Sequence, residues 1–195
     1  MTTKKETRGR KRKFDLDVAL AEAQRQFHQD GYEGAKLGEI CAALGITQTS
    51  LYAAYGNKIG LYRSVVDRYA HTSVSFIGDA LESAKTPEQV WTGVLFGAAE
   101  TYGKPGATGC LVLGTDVATT NRQAKEILAD QVVKTQRVIE DRLRALGATD
   151  AGGDARTIIM ILRGLSGAAR AGIGSEDLRQ DVERLLSAGP IRSSE

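Results

Sequence analysis

No stretch of eighteen uninterrupted apolar residues occurs in this chain, so no membrane-spanning helix is expected. Its first residues are a run of charges rather than a charged tip followed by an apolar segment. No secretory leader is therefore expected, and the cytoplasm is the expected compartment. Cysteine is scarce: Cys41 and Cys110 are too far apart in sequence for a metal-ligand pair and too few for a disulfide framework. With only His28 and His71 as histidines, the inventory of metal ligands is poor, and neither metal nor cofactor is expected. The chain also lacks a phosphate loop, a nucleophile elbow and His-x-Glu or Cys-x-x-Cys sets, so it does not read as an enzyme.

What the chain does have is an ordinary globular composition, 42% hydrophobic and 26% charged over 195 residues. That is enough to bury a core as one large domain, or as a small domain and a larger one. The net charge of +2 conceals an uneven distribution. Residues 1–13 carry Lys4, Lys5, Arg8, Arg10, Lys11, Arg12 and Lys13 against the single acid Glu6, a net +6 that leaves −4 for the remainder. A basic run of this kind cannot build a core, and its natural partner is a polyanion whose counterions it releases. The Arg8-Gly9-Arg10 step suits a flexible arm entering a minor groove, with Arg10 and Arg12 as contacts; a merely solubilising terminus is the plainer reading.

From Phe14 onward, Leu16, Ala19, Leu20, Ala23 and Phe27 recur at three-and-four spacing, the stripe of an amphipathic helix, with Asp15 and Asp17 favouring its start and Gly31 its end. A second short helix, Leu37 to Leu44, places Leu37, Ile40, Cys41 and Leu44 inward, and Gly45 supplies a tight turn. Ile46 plugs the turn, Thr47 can cap a third helix from Gln48 to Tyr55, and Leu51 points that helix at the core. Gly56 and Asn57 end it, and one long helix from Lys58 to about Leu81 is expected next.

Helix, glycine turn, short helix is the geometry that projects a second helix into a major groove. Apart from Leu51, the third helix offers Gln48, Thr49, Ser50, Tyr52, Ala53 and Ala54, a surface without charge. Hydroxyls, an amide and small groups can bond base edges and phosphates or approach thymine methyls closely, whereas a merely solvated helix usually carries Lys and Glu pairs.

The stretch from Phe14 to Tyr69, above all Gly31 to Tyr69, resembles the DNA-binding domain of the TetR/AcrR family of bacterial repressors. Gly31, Tyr32, Ile40, Gly45, Leu51, Tyr52, Tyr55 and Lys58 follow that family's pattern in order. The resemblance implies that Gln48, Thr49 and Ser50 face bases or nearby phosphates, with Thr47 beside them. It places Tyr52 and Tyr55 on the DNA backbone and Lys58 on a phosphate, where a helix N-terminus also favours an anion. Lys36 stands where the family often has threonine or serine; a lysine there reaches a phosphate as a point charge but gives up capping.

The remainder again reads as helical. One helix opens at Pro87 and Glu88 and runs to Tyr102, and Gly103 to Gly109 forms a loop. Further helices are expected from about Asn121 to Leu146, from Asp154 to Gly172 and from Ser175 to Ala188. The expected architecture is therefore all-α, with about nine helices: a flexible arm (1–13), a helix-turn-helix domain (14–58) and a regulatory and dimerisation domain (59–195). The resemblance implies a homodimer joined through the last two helices, for which Ile158, Leu162, Leu165, Ala169, Leu178 and Leu185 are the candidates. It also implies a small-molecule effector pocket, for which Phe76, Trp91, Phe96, Glu100, Tyr102 and Asp116 are candidates.

The expected function is a sequence-specific repressor of a palindromic operator, released when an effector tilts helix four and changes the spacing of the recognition helices from about 34–36 Å. Cys110 opens an apolar segment near a helix start and is a candidate redox or electrophile sensor, with a buried structural thiol as the plainer reading. A non-specific architectural nucleic-acid binder would share the basic arm, but it has no need of a neutral recognition helix or of the larger C-terminal domain.

Overall fold

The computed structural model describes residues 15–106, 109–115 and 119–189. Among the described residues there are ten helices and no strands: α1 (Leu16–Gly34), α2 (Leu37–Leu44), α3 (Gln48–Tyr55), α4 (Lys58–Thr72), α5 (Ser75–Ser83), α6 (Pro87–Tyr102), α7 (Leu111–Thr115), α8 (Arg122–Ala145), α9 (Ala151–Arg170) and α10 (Ser175–Ser187). The expected all-α architecture is present. The arm expected over residues 1–13, with Arg10 and Arg12, lies outside the described residues.

Side chains that cap their own helices set most of the boundaries. Asp15 accepts from the Asp17 and Val18 N–H groups, Thr47 from Ser50, Asn57 from Gly60, Thr86 from Gln89, Asn121 from Ala124 and Asp150 from Gly153. Each satisfies a donor that the first turn leaves without a partner. Gly45 lies in the left-handed region at φ 62°, which turns the chain between α2 and α3. Gly60 is required by space rather than conformation, since a Cβ there would collide with the Tyr55 carbonyl.

Two helices differ from expectation. The single helix expected from Lys58 to Leu81 is α4 and α5, broken at Ser73 and Val74. The Thr72 hydroxyl bonds back to the Arg68 carbonyl at 2.9 Å, and the Ser73 hydroxyl accepts from the Gln24 amide at 3.1 Å. Threonine, serine and valine in succession offer the backbone these local alternatives and hold little helix propensity against them. The segment after Cys110 contains the short α7, whose burial against α1 and α9 stands in for its lack of length.

The core is continuous from one end of the molecule to the other. Ala23, Phe27, Ile40, Leu51, Leu61 and Val65 fill the space between α1, α2, α3 and α4, and Val94, Leu95, Leu128, Ile139, Leu143, Ile158 and Leu162 fill the larger C-terminal half. The long α8 and α9 pack along each other, while α6 is held between α5, α9 and α10. Since α4 packs on both α1 and α8, it links the two halves.

Candidate nucleic-acid interface and regulatory cavity

Leu51 is fully buried and fixes the rotation of α3. With successive residues 100° apart, its burial turns Gln48, Thr49 and Ala53 fully outward and leaves Tyr52 half-exposed beside them. These four side chains line one shallow groove on the surface. None of them carries charge, and Thr49 and Ala53, one turn apart, present methyl groups side by side.

The other predicted contacts have partners inside the chain. The Thr47 oxygen accepts the Ser50 N–H at 3.2 Å and shares a 2.9 Å hydrogen bond with the Ser50 hydroxyl. The Tyr55 hydroxyl donates to the Leu16 carbonyl at 3.1 Å, tying α3 to α1. Lys36 gives α2 no side-chain cap and instead pairs with Glu39 at 2.9 Å. Lys58 lies 5.0 Å from the centre of the Tyr32 ring and donates to the Glu33 carbonyl at 3.4 Å. Partial burial lowers the Lys58 pKa, and the Glu33 charge pulls it back up.

Behind this surface an aromatic cluster joins α1 to α4: Phe27 and Tyr62 meet edge to face at 4.9 Å, and Tyr32 meets Tyr62 at 5.1 Å. Three polar ties continue from there into the C-terminal half. His28 Nε2 is 3.0 Å from the Gly109 carbonyl, and Arg170 donates to the His28 carbonyl at 3.5 Å. The third is the densest. Glu33 Oε1 accepts from Thr119 Oγ1 (2.7 Å), the Thr120 N–H (2.7 Å), Thr120 Oγ1 (3.2 Å) and the Asn121 N–H (2.9 Å), which places a carboxylate at the start of α8. What burial Glu33 has raises its pKa, but these hydrogen bonds outweigh it and hold the carboxyl at about 2.

An apolar cavity of about 30 Å³ lies where α4, α6, α7, α8 and α9 converge, lined by Tyr69, Val74, Ile77, Tyr102, Cys110, Leu113, Gln131, Thr135 and Leu162 among others. That space is close to the volume of one water molecule. The Tyr69 and Tyr102 phenols share the cavity lining with the Cys110 thiol, and the Leu113 N–H lies 3.5 Å from Cys110 Sγ. Burial raises both tyrosine pKa values well above the usual range, and the neighbouring thiol adds to the rise, so both rings remain protonated.

Of the side chains expected to line a pocket, Tyr102 does so. Trp91 is instead a core residue eleven positions earlier on α6, roughly 16 Å along the axis. Phe96 faces α10 beneath the Arg179 guanidinium, Phe76 packs edge-on against Tyr102, Glu100 is exposed, and Asp116 lies outside the described residues. Sequence reasoning missed Tyr69 and Gln131 as lining residues, and the aromatic on α4 facing Cys110 had no local signature.

The residues expected at a subunit interface are also placed differently. Ile158, Leu162, Leu165, Ala169 and Leu178 are buried within the chain's own core, and Leu185 is half-buried. The outward side of α9 carries Met160, Gly164 and Gly167, followed by Ile173; Met160 is 65% exposed and Ile173 40%.

Comparison with known proteins agrees with this architecture. The family model for bacterial regulatory proteins of the tetR family matches residues 19–65. The HTH-type transcriptional repressor BdcR of Escherichia coli (strain K12) is 32% identical over 187 residues, covering 91% of each chain. The chain belongs to the TetR family. It is thus a transcriptional regulator, with the helix-turn-helix of that family in α2 and α3. The repressor ComR of the same organism is 46% identical over 65 residues, 33% of this TetR-family chain and 31% of ComR. A cysteine-substituted form of the TetR family regulator CifR, solved with 26 bp double-strand operator DNA, superposes with a TM-score of 0.83 at 30% identity, covering 93% of this chain and all of that one.

Proposed function

We propose that this TetR-family regulator binds double-stranded operator DNA as a homodimer through the outward face of α3, represses transcription there, and is released by a small molecule that opens the cavity between α4 and α9. The observation that carries the reading is the uncharged groove of Gln48, Thr49, Tyr52 and Ala53, held outward by Leu51 and capped by Thr47. CifR, similar over its whole length, was solved on operator DNA. Residues 14–58 act as the DNA-binding domain and 59–195 as the regulatory domain. Among the described residues no helix is long and apolar enough to cross a membrane and no group of His, Cys, Asp and Glu could hold a metal. The proposed setting is the cytoplasm, and the chemistry is binding rather than catalysis.

Lys36 and Lys58 serve phosphates, with Tyr52 donating to the backbone; Lys58 and Lys36 must leave Tyr32 and Glu39 to do so, while Ser50 stays paired with Thr47 in the α3 cap. The Tyr55 hydroxyl acts by tying α3 to α1. The dimer face is the outer side of α9 with the adjoining end of α10. A Cβ at Gly164 or Gly167 would meet nothing within the subunit, so that surface is open to a second copy.

A cavity of water size cannot hold an effector without expansion, and expansion moves its walls. Tyr69 and Tyr62 lie two turns apart on α4, one at the cavity and one in the aromatic cluster under the recognition helix, so displacement of α4 reaches the DNA surface. Coupling of about 1–3 kcal/mol would change operator affinity about 5–150-fold.

A second reading has its own observation: Cys110 lines the cavity between two buried phenols. Covalent modification of its thiol would enlarge a residue pinned by the 2.8 Å hydrogen bond that the Cys110 N–H donates to the Ser166 hydroxyl and adjoining the His28 to Gly109 tie. Under this reading iodoacetamide labels Cys110 in the folded protein and abolishes DNA binding, and Cys110→Ser resists; an unreactive thiol excludes it.

The test of the main reading is an anisotropy titration against DNA flanking the protein's own coding sequence, or against duplexes selected from random sequence. Saturable, selective binding that Tyr52→Ala weakens while leaving the circular dichroism spectrum unchanged supports it. Equal binding to every duplex contradicts it.

A further inference from the structure

The outward face of α3 also limits which bases it can read. Every polar side chain of α3 and its cap except Gln48, Thr49 and Tyr52 is committed inside the protein: Thr47 and Ser50 to each other, and Tyr55 to Leu16. No ammonium or guanidinium lies on the helix, and the described cations Lys36 and Lys58 sit at the starts of α2 and α4 beside Glu39 and Tyr32. The commonest reader of guanine in the major groove, a cationic donor set on O6 and N7, is therefore missing from the surface that faces the groove.

What remains matches a different base pair. Gln48 is the first residue of α3, at the end that reaches base edges when a recognition helix docks, and its amide offers one donor and one acceptor to the N7 and N6 of adenine. The Thr49 and Ala53 methyls sit on the same exposed face and suit the C5-methyl of thymine, which has no counterpart on cytosine. Tyr52 is half-buried beside them and lines the same groove.

We infer that α3 reads each operator half-site at A·T pairs, with Gln48 on an adenine and the Thr49 and Ala53 methyls against thymine C5-methyl groups, and that it makes no guanine-specific contact. The inference rests on the proposal that α3 enters the major groove, and the two fail in different ways.

The experiment begins with selection of duplexes from a random library by the full-length protein at fixed salt. In the selected duplex, single thymines are then replaced by deoxyuridine, which removes only the methyl, single adenines by 7-deazaadenine and single guanines by 7-deazaguanine. One 7-deazaadenine position per half-site is expected to lower affinity by about 5-fold or more, within the range of a bidentate base contact. Gln48→Ala should erase that penalty and tolerate any base there. Deoxyuridine at one or two positions should weaken the wild type, and Thr49→Ser or Ala53→Gly should each erase the penalty at one of them. These variants alter exposed side chains, and an unchanged circular dichroism spectrum verifies that they fold. A half-site sensitive to 7-deazaguanine and indifferent to 7-deazaadenine and deoxyuridine overturns the inference while leaving DNA binding intact. Enrichment of no sequence overturns the DNA-binding proposal as well.

Discussion

The N-terminal and C-terminal halves of this regulator are built by the same helical chemistry at different ranges. In the head, α1, α2 and α3 are defined by residues next to them: Asp15 and Thr47 as caps, Gly45 and Gly56 as turns, and Leu51 as the residue that sets which face is outward. In the larger half, the cavity is made by one to three side chains from each of several helices, with Tyr69 and Gln131 far apart in the chain yet both on its lining. Local rules give a surface of fixed composition; long-range packing gives a space whose size depends on how those helices sit. The first suits recognition of a constant polymer, the second suits response.

Breaking the head at its centre should have the largest effect. Leu51→Ala removes a fully buried anchor and should cost about 2–5 kcal/mol in urea unfolding, with operator binding lost alongside. Met160→Ala, on the exposed face of α9, should change unfolding of the subunit by about 0.5 kcal/mol or less while weakening self-association in sedimentation equilibrium.

The tie between the halves comes next. Glu33→Gln removes the charge that accepts four hydrogen bonds from Thr119, Thr120 and Asn121. Because Glu33 is largely exposed, solvent screening reduces the loss to about 1–2 kcal/mol. Its folded pKa of about 2 lies below the ordinary value of 4.5, so the stabilisation is complete above pH 4.5 and disappears as pH falls toward 2. Wild type and Glu33→Gln should therefore differ in stability at pH 7 and converge across that acid window; a constant difference would show that the carboxylate is not the group responsible. Thr47→Ala, which removes the α3 cap, should cost less, about 1 kcal/mol of stability, read as a shift in the urea midpoint.

The same division governs how much was legible in the sequence. Helices α2 and α3 and their turn could be read from Gly45, Thr47 and Leu51 because each acts on its immediate neighbours. The break between α4 and α5 was not, since Ser73 ends the helix partly by accepting from Gln24, far away on α1. On α9, Ile158, Leu162 and Leu165 and the outward Met160 are alike apolar, and periodicity alone could not decide which set the subunit keeps for its own core. Among the described residues expected at the pocket, only Tyr102 lines the cavity, because α6 is apolar over much of its circumference and packs on three helices. Glu33 carried no signal by itself; its partners Thr119, Thr120 and Asn121 read simply as the start of α8.

The most direct test of the account compares affinity for the selected operator with affinity for a scrambled duplex of equal length and composition, at several salt concentrations. The account predicts that both affinities fall as salt rises while the operator keeps an advantage of about a thousandfold or more, with two subunits or a pair of dimers bound per site. A ratio near one at every salt concentration would contradict it and would assign binding to charge alone.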